Sequence, residues 1–299
     1  MRIAVSSWSM NRAFFKGEMD MVSFIRAARE EFGVDGIETV HWMIPNMPGA
    51  VANVAKAASL FDSKDPEERK MAGGMFMESM GALSRTMPSN LDEVKDALKK
   101  YDIRVLNMPI DYGNISQLDE GKRREDLAII KMWIDVASAL GSSGARVNTG
   151  SQPEGVFDLK ITAASYRELA EYAASKNVAL VLENHGGMSA DPDNILKLFE
   201  RVDHPNFRIC PDFGNFSDEI RYEALEKIFT LSPVLVHAKT YDFNDRGEQD
   251  KFDFGKCMGI AKKHHYDGWY SVEFEGQTGD QPDGIKRTIA MLNRHLTVL

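Results

Sequence analysis

The chain has 299 residues, a formal net charge of -9 at pH 7, a pI near 5.4, and 43% hydrophobic and 27% charged residues. This is the composition of a globular chain long enough to bury a large core, and its acidity argues against nucleic acid as a partner. Two cysteines, Cys210 and Cys257, cannot build a disulfide framework or a thiolate zinc site, and no run approaches the roughly 18 apolar residues of a membrane span, so a reducing cytoplasm without a membrane partner is expected.

Ile3 to Trp8 reads as a first strand, and Met21 to Phe32 has helical spacing, with Val22, Ile25 and Ala28 on one face and Gly33 after it. Gly36 to Trp42 gives a second strand and Ile103 to Pro109 a third. The helix before the third carries Asn90 and Glu93 at capping-box spacing. Leu127 to Leu140 is an amphipathic helix stopped by Gly141, followed by a fourth strand, Ala145 to Asn148, closed by Gly150. Helix Ala163 to Ser175 leads into a continuous apolar run from Val178 that ends in Glu183, Asn184, His185, Gly186 and Gly187. Such a run suits a parallel strand buried on both faces and ending at a polar site. Helices over 194–202, 220–231, 254–265 and 284–296 alternate with three more strands, Phe207 to Gly214, Val234 to Lys239 and Gly268 to Gly276. Eight strands alternating with eight helices predict an α/β fold, a (β/α)8 TIM barrel formed by residues 1–299 as one domain.

Residues 46–89 are additional, a helical insertion after the second strand with helices expected over Val51 to Phe61 and Glu67 to Leu83. Met71, Met75, Phe76 and Met80 make an apolar stripe at helical spacing there, suited to local core, a lid over the site or a contact within a homo-oligomer.

Glu183, Asp212, His237 and Glu273 each end one of the last four strands, separated by 29, 25 and 36 residues, each about one βα unit. Side chains at strand ends converge on the C-terminal mouth of a barrel, so the four are expected to form one metal site. Three carboxylates and an imidazole suit Mn, Mg or Co, with Zn possible. A bound cation would polarise the carbonyl of a hydroxy-ketone and acidify the neighbouring C–H. Glu183 and Glu273 would then serve as an acid and base pair around an enediolate. Residues two apart on a strand share a face, which places His185 with Glu183, as a proton carrier or hydroxyl partner, and Lys239 with His237, its ammonium near an enediolate oxygen. Glu275 is expected to orient ligands or substrate, and Glu38, Asn107 and Asn148, at the mouths of strands 2, 3 and 4, to bind sugar hydroxyls. His41, His204, His264, His265 and His295 have no matching partner and are expected at the surface or in packing.

The runs Glu183 to Gly187, Asp212 to Asn215, His237 to Lys239 and Val272 to Gly276 resemble the strand 5 to 8 motifs of the xylose-isomerase-like superfamily of sugar isomerases and epimerases. The resemblance implies a metal held by Glu183, Asp212, His237 and Glu273, with the two glutamates transferring the proton. Where free-ketose 3-epimerases of that group carry a histidine three after the aspartate and an arginine six after the ligand histidine, this chain has Asn215 and Phe243. Its motifs are closer to the sugar-phosphate epimerase and inosose dehydratase branches, although no phosphate-binding signature is present. Dehydratase and keto-glycoside lyase members use the same cation for β-elimination, with His185 then the natural proton carrier. The related endonuclease barrels need several metals, more histidines and a basic face, which seven histidines and an acidic chain do not supply. The expected activity is a divalent-metal sugar isomerase or epimerase acting on a keto-sugar or its phosphate, with a lyase as the alternative.

Overall fold

Apolar strands followed by amphipathic helices bury both strand faces when the helices cover the sheet, and a closed ring of eight such units does this with side chains inside and helices outside. The computed structural model describes residues 2–60, 63–154, 158–277 and 279–297. In chain order it contains β1 (Arg2–Ser6), α1 (Asn11–Phe15), α2 (Met21–Glu30), β2 (Gly36–Glu38), α3 (Pro48–Leu60), α4 (Pro66–Arg85), α5 (Leu91–Tyr101), β3 (Arg104–Ile110), α6 (Glu120–Ala139) and β4 (Gly144–Val147). Then follow α7 (Leu159–Ser175), β5 (Ala179–Glu183), α8 (Pro192–Val202), β6 (Phe207–Cys210), α9 (Arg221–Phe229), β7 (Leu235–Thr240), α10 (Phe254–Lys263), β8 (Trp269–Phe274) and α11 (Gln281–Thr297). The strands pair in parallel in the order β6-β5-β4-β3-β2-β1-β8-β7. The ring is completed between β6 and β7, where Asp212 bridges His237, Phe213 N donates to His237 O at 3.2 Å and His237 N to Pro211 O at 2.9 Å. The seam thus fixes the backbone of two of the candidate ligands. Among the described residues no helix is long and apolar enough to cross a membrane.

Aspartates start the helices more consistently than the sequence pattern showed. Asp20, Asp65, Asp119, Asp158, Asp191 and Asp253 each accept a backbone N–H at the start of α2, α4, α6, α7, α8 and α10. Each fills a donor that the helix itself leaves unpaired and places negative charge at the positive end of the helix dipole. The capping box expected at Asn90 is not formed. Its φ and ψ of -96° and 20° are not the extended values of a cap, and its side chain instead donates to Ile44 O at 2.9 Å and accepts from Asn46 N at 3.3 Å. Asn90 therefore ties the start of the 46–89 segment to the start of α5.

Inside the barrel, Leu106, Val181, Cys210, Leu235 and Trp269 fill a layer below the mouth. A side chain at Gly36 would bring its Cβ within 2.8 Å of the Trp269 ring, so the filled interior requires glycine there. Outside the barrel, Phe24, Trp133, Tyr166 and Phe213 are fully buried between strands and helices, each contributing about 1.5–3 kcal/mol of transfer free energy.

Strand 2 is shorter than expected. Its register on β3 shifts between Ile37 and Glu38, and His41–Met43 forms a 3-10 turn instead of more strand. The 46–89 segment carries α3 and α4, packed on each other, and the expected end of the first helix at Phe61 lies outside the described residues. The methionine stripe divides by depth: Met71 is exposed, while Phe76 and Met80 pack on the core. The end of α4 is pinned through Ser84, whose carbonyl accepts from Trp133 Nε1 at 2.6 Å and whose hydroxyl is 2.9 Å from His41 Nε2.

Candidate metal centre

Parallel strands end at one rim, and β5, β6, β7 and β8 deliver Glu183, Asp212, His237 and Glu273 there in turn. All four are buried, and one ligand atom from each lies within 4.8 Å of the other three. His237 Nδ1 is 3.0 Å from Glu183 Oε1, 3.5 Å from Asp212 Oδ2 and 3.7 Å from Glu273 Oε2. The other ring nitrogen, Nε2, is 3.0 Å from Glu38 Oε2, within hydrogen-bond distance. Asn107 Nδ2 donates to the same oxygen at 2.8 Å. This carboxylate, imidazole and ligand-facing nitrogen sequence is the arrangement that orients metal-binding histidines.

The residues present fit a divalent cation. Glu183 Oε2 and Asp212 Oδ2 are buried and turned to the cluster, where Arg146 Nε at 3.0 Å and Lys239 Nζ at 3.2 Å stand near them without a well-aligned hydrogen bond, so both keep lone pairs open to a cation. Three carboxylates with one imidazole form a hard, oxygen-rich donor set with a surplus of negative charge.

Asn184, which points away from the cluster, donates to Asp212 O at 3.0 Å and accepts from Asp212 N at 2.8 Å, locking the Asp212 backbone. Asp212 Oδ1 accepts from Gly214 N and Asn215 N, so only its other oxygen is turned to the cluster. Lys239 pairs in register with Glu273 across β7 and β8. Its Nζ lies 3.0 Å from Glu273, 3.2 Å from Asp212 and 3.3 Å from Glu275, and donates to Asn215 Oδ1 at 2.7 Å.

Burial pushes the Glu273 carboxyl up to about 8, the charges of Lys239 and His237 opposing and those of Asp212 and Glu183 adding. Burial acts the same way on Glu183, but His237 and Arg146 outweigh it and hold that carboxyl well below the usual range. Burial would lower His237, and Cys210, Glu38, Glu183 and Glu273 together raise it well above its ordinary value.

A cavity of about 660 Å³ opens over the centre and is bordered by Glu273, Glu275, His185, Asn148, Asp111 and Arg146 among its polar groups. Of the expected substrate-facing residues, the structure brings His185, Asn148 and Glu275 to this cavity. Glu38 and Asn107, expected there as hydroxyl binders, are 0% and 1% exposed and do not border it. Glu38 shares the inward face of Gly36, and the register shift sets Asn107 opposite it, so both lie inside the barrel against His237 and each other, which corrects their expected place. Lys239 is 2% exposed and also does not border the cavity, because its ammonium is held behind the carboxylates rather than presented to a ligand.

Two residues were not singled out in the sequence. Arg146 is buried on β4; it donates through a guanidinium nitrogen to Asp111 and, at 2.7 Å, to Asn148, and its Nε stands 3.0 Å from Glu183 Oε2. An arginine in an otherwise apolar four-residue strand was the available signal, since a buried charge requires partners. Asp111, just beyond β3, follows an apolar strand as Glu183 does. His41, expected at the surface or in packing, is fully buried and does have partners: Ser84 through Nε2, and Asp111 N, which donates to Nδ1 at 3.2 Å. Its ring is edge-on to Trp133, and burial lowers it to about 4 despite the nearby Asp111.

No curated protein matches the chain in sequence. Among solved structures, the 3-keto-D-glucoside 4-epimerase YcjR of E. coli is 19% identical, with a TM-score of 0.66 over 98% of this chain and 99% of its own. D-allulose 3-epimerase from Methylomonas sp., in complex with D-allulose, is 14% identical, with a TM-score of 0.69 over 99% and 97%. A xylose isomerase-like TIM barrel protein from Mycobacterium smegmatis, in complex with magnesium, is 17% identical, with a TM-score of 0.65 over 99% and 97%. At these identities the likeness is one of fold. A family model described as xylose isomerase-like TIM barrel matches residues 69–295, and the chain belongs to that family.

Proposed function

We propose that the protein is a divalent-metal-dependent epimerase or isomerase of a keto-sugar. The observation that carries this reading is the convergence of four ligand heads within 4.8 Å at the floor of a cavity that Glu273 borders. Glu183, Asp212, His237 and Glu273 would hold the cation, which supplies polarisation of the sugar carbonyl and so acidifies the adjacent C–H.

The chain's own groups do the rest. Glu183 and Glu273 come from strands separated by β6 and β7, so they approach a sugar carbon from different parts of the rim and serve as the proton-transfer pair. Lys239, fixed by Asp212, Glu273 and Asn215, positions the Glu273 carboxylate. Arg146 does the same for Glu183 and, because it borders the cavity, places a fixed positive charge where oxygen charge develops in the enediolate. Asn148, Glu275 and His185 meet the sugar hydroxyls from the cavity wall.

Incubation with candidate keto-sugars in deuterium oxide tests the reading. Solvent deuterium retained at a sugar carbon, with the formula otherwise unchanged, is expected. Loss of water or of an aglycone would assign the same centre to the lyase chemistry, and no exchange with any keto-sugar would reject both.

A further inference from the structure

The apolar side of the cavity is one connected row of rings. Trp8 begins it, its Nε1 donating to Glu275 Oε1 at 2.9 Å, which ties the row to the floor. Phe15 meets Trp8 edge-on at 6.2 Å, lies flat against Trp42 at 5.4 Å with 1° between the planes, and meets Phe76 edge-on at 5.6 Å. Phe76 belongs to α4, where Met77 continues the same wall and is 70% exposed. Trp8, Phe15 and Phe76 are only half-buried, so the row is not sealed core. Arg85, whose Nε donates to the Tyr112 hydroxyl at 2.8 Å, and Glu78 offer polar tips along the same cavity.

A sugar ring engaged by Glu273, Asn148 and His185 would leave this row against water, whereas ring faces and a methionine thioether together suit a second ring. We propose that the row is a second subsite and that the substrate is a keto-glycoside, its aglycone a ring that stacks on Phe15, Phe76 and Met77. Because Trp8 joins Glu275 directly, the two subsites are contiguous, as one molecule with both parts requires. The inference rests on the keto-sugar reading of the floor. It adds that α4, from the 46–89 segment, selects what the sugar is attached to.

The test is calorimetric binding to the metal-loaded protein of phenyl and methyl β-D-glycosides in the gluco, galacto and xylo configurations. The phenyl compound is expected to bind about tenfold more tightly than its methyl counterpart. Phe76→Ala and Met77→Glu should each move that ratio towards one; the second variant alters an exposed position and leaves packing intact. Equal affinities for phenyl and methyl, no binding by any pair, or a ratio unchanged in both variants would overturn the subsite. The two readings fail separately. A phenyl preference without deuterium exchange in keto-sugars would reject the reaction and keep the subsite, and equal exchange with phenyl and methyl keto-glycosides would do the reverse.

Discussion

Glu38 Oε2 stands 3.0 Å from His237 Nε2, and the ring nitrogen that faces Glu183, Asp212 and Glu273 is Nδ1. A carboxylate contributed by β2 therefore sets the rotation of an imidazole contributed by β7, across the inside of the barrel. Asn107, donating to the same Glu38 oxygen at 2.8 Å, keeps that carboxylate from turning away.

This relationship makes Glu38 a positioning residue for the candidate metal centre. Glu38→Ala should weaken divalent-cation affinity by roughly 10- to 100-fold. Titration calorimetry with manganese checks this, alongside far-ultraviolet circular dichroism to confirm that the barrel is intact. An intact variant with wild-type affinity would remove Glu38 from the centre.

The two glutamates make a separate claim. Glu183→Gln and Glu273→Gln preserve side-chain size but not proton transfer, and each should lower turnover by about 10²- to 10⁴-fold. Deuterium exchange into the substrate at saturating cation is the measurement. Near-wild-type exchange in either variant would contradict the proton-transfer role assigned to it.

Removing divalent ions brings a different readout. With three buried carboxylates converging, a bound cation should stabilise the fold, by about 2.7 kcal/mol when its concentration is 100 times Kd. Chelation should therefore lower Tm and abolish activity, and readdition should restore both. A Tm indifferent to magnesium, manganese, cobalt and zinc would show that the four residues do not hold a cation.

His41 gives a pH dependence away from the centre. Folded, it stays neutral down to about 4, whereas in the unfolded chain it takes up a proton near its ordinary 6.5. The unfolded state thus binds more protons between those values, so stability is full above 6.5 and falls as pH drops towards 4, by about 1.4 kcal/mol per unit from this group. Asp111 and Arg146 are the charged neighbours, and they oppose each other. Denaturant titrations of wild type and His41→Gln over this range should differ in slope by one proton, and parallel curves would refute the assignment. The loss should begin at the end of α4, because His41 contacts Ser84 there.

The order of strands and helices was legible in the residues because apolar runs and amphipathic spacing are local properties, and eight alternations leave few ways to bury both strand faces. The four converging side chains were legible for the same reason: a parallel barrel brings the ends of its strands to one rim whatever the details of packing. Glu38, Asn107, Lys239, Arg146 and His41 were legible only as residue types. Whether a side chain near a strand end reaches the cavity or stays in the interior depends on what packs above it and on register, and the shift that sets Asn107 opposite Glu38 is a property of the paired strands rather than of either local sequence. The aromatic row is likewise tertiary: Trp8 and Phe15 lie in one stretch, but Trp42 and Phe76 come from distant segments, and Phe76 joins the row only through the placement of α4. The sequence by itself determined which groups stand at the rim, and the packing of distant segments decided which of them reach a ligand and which hold the others in place.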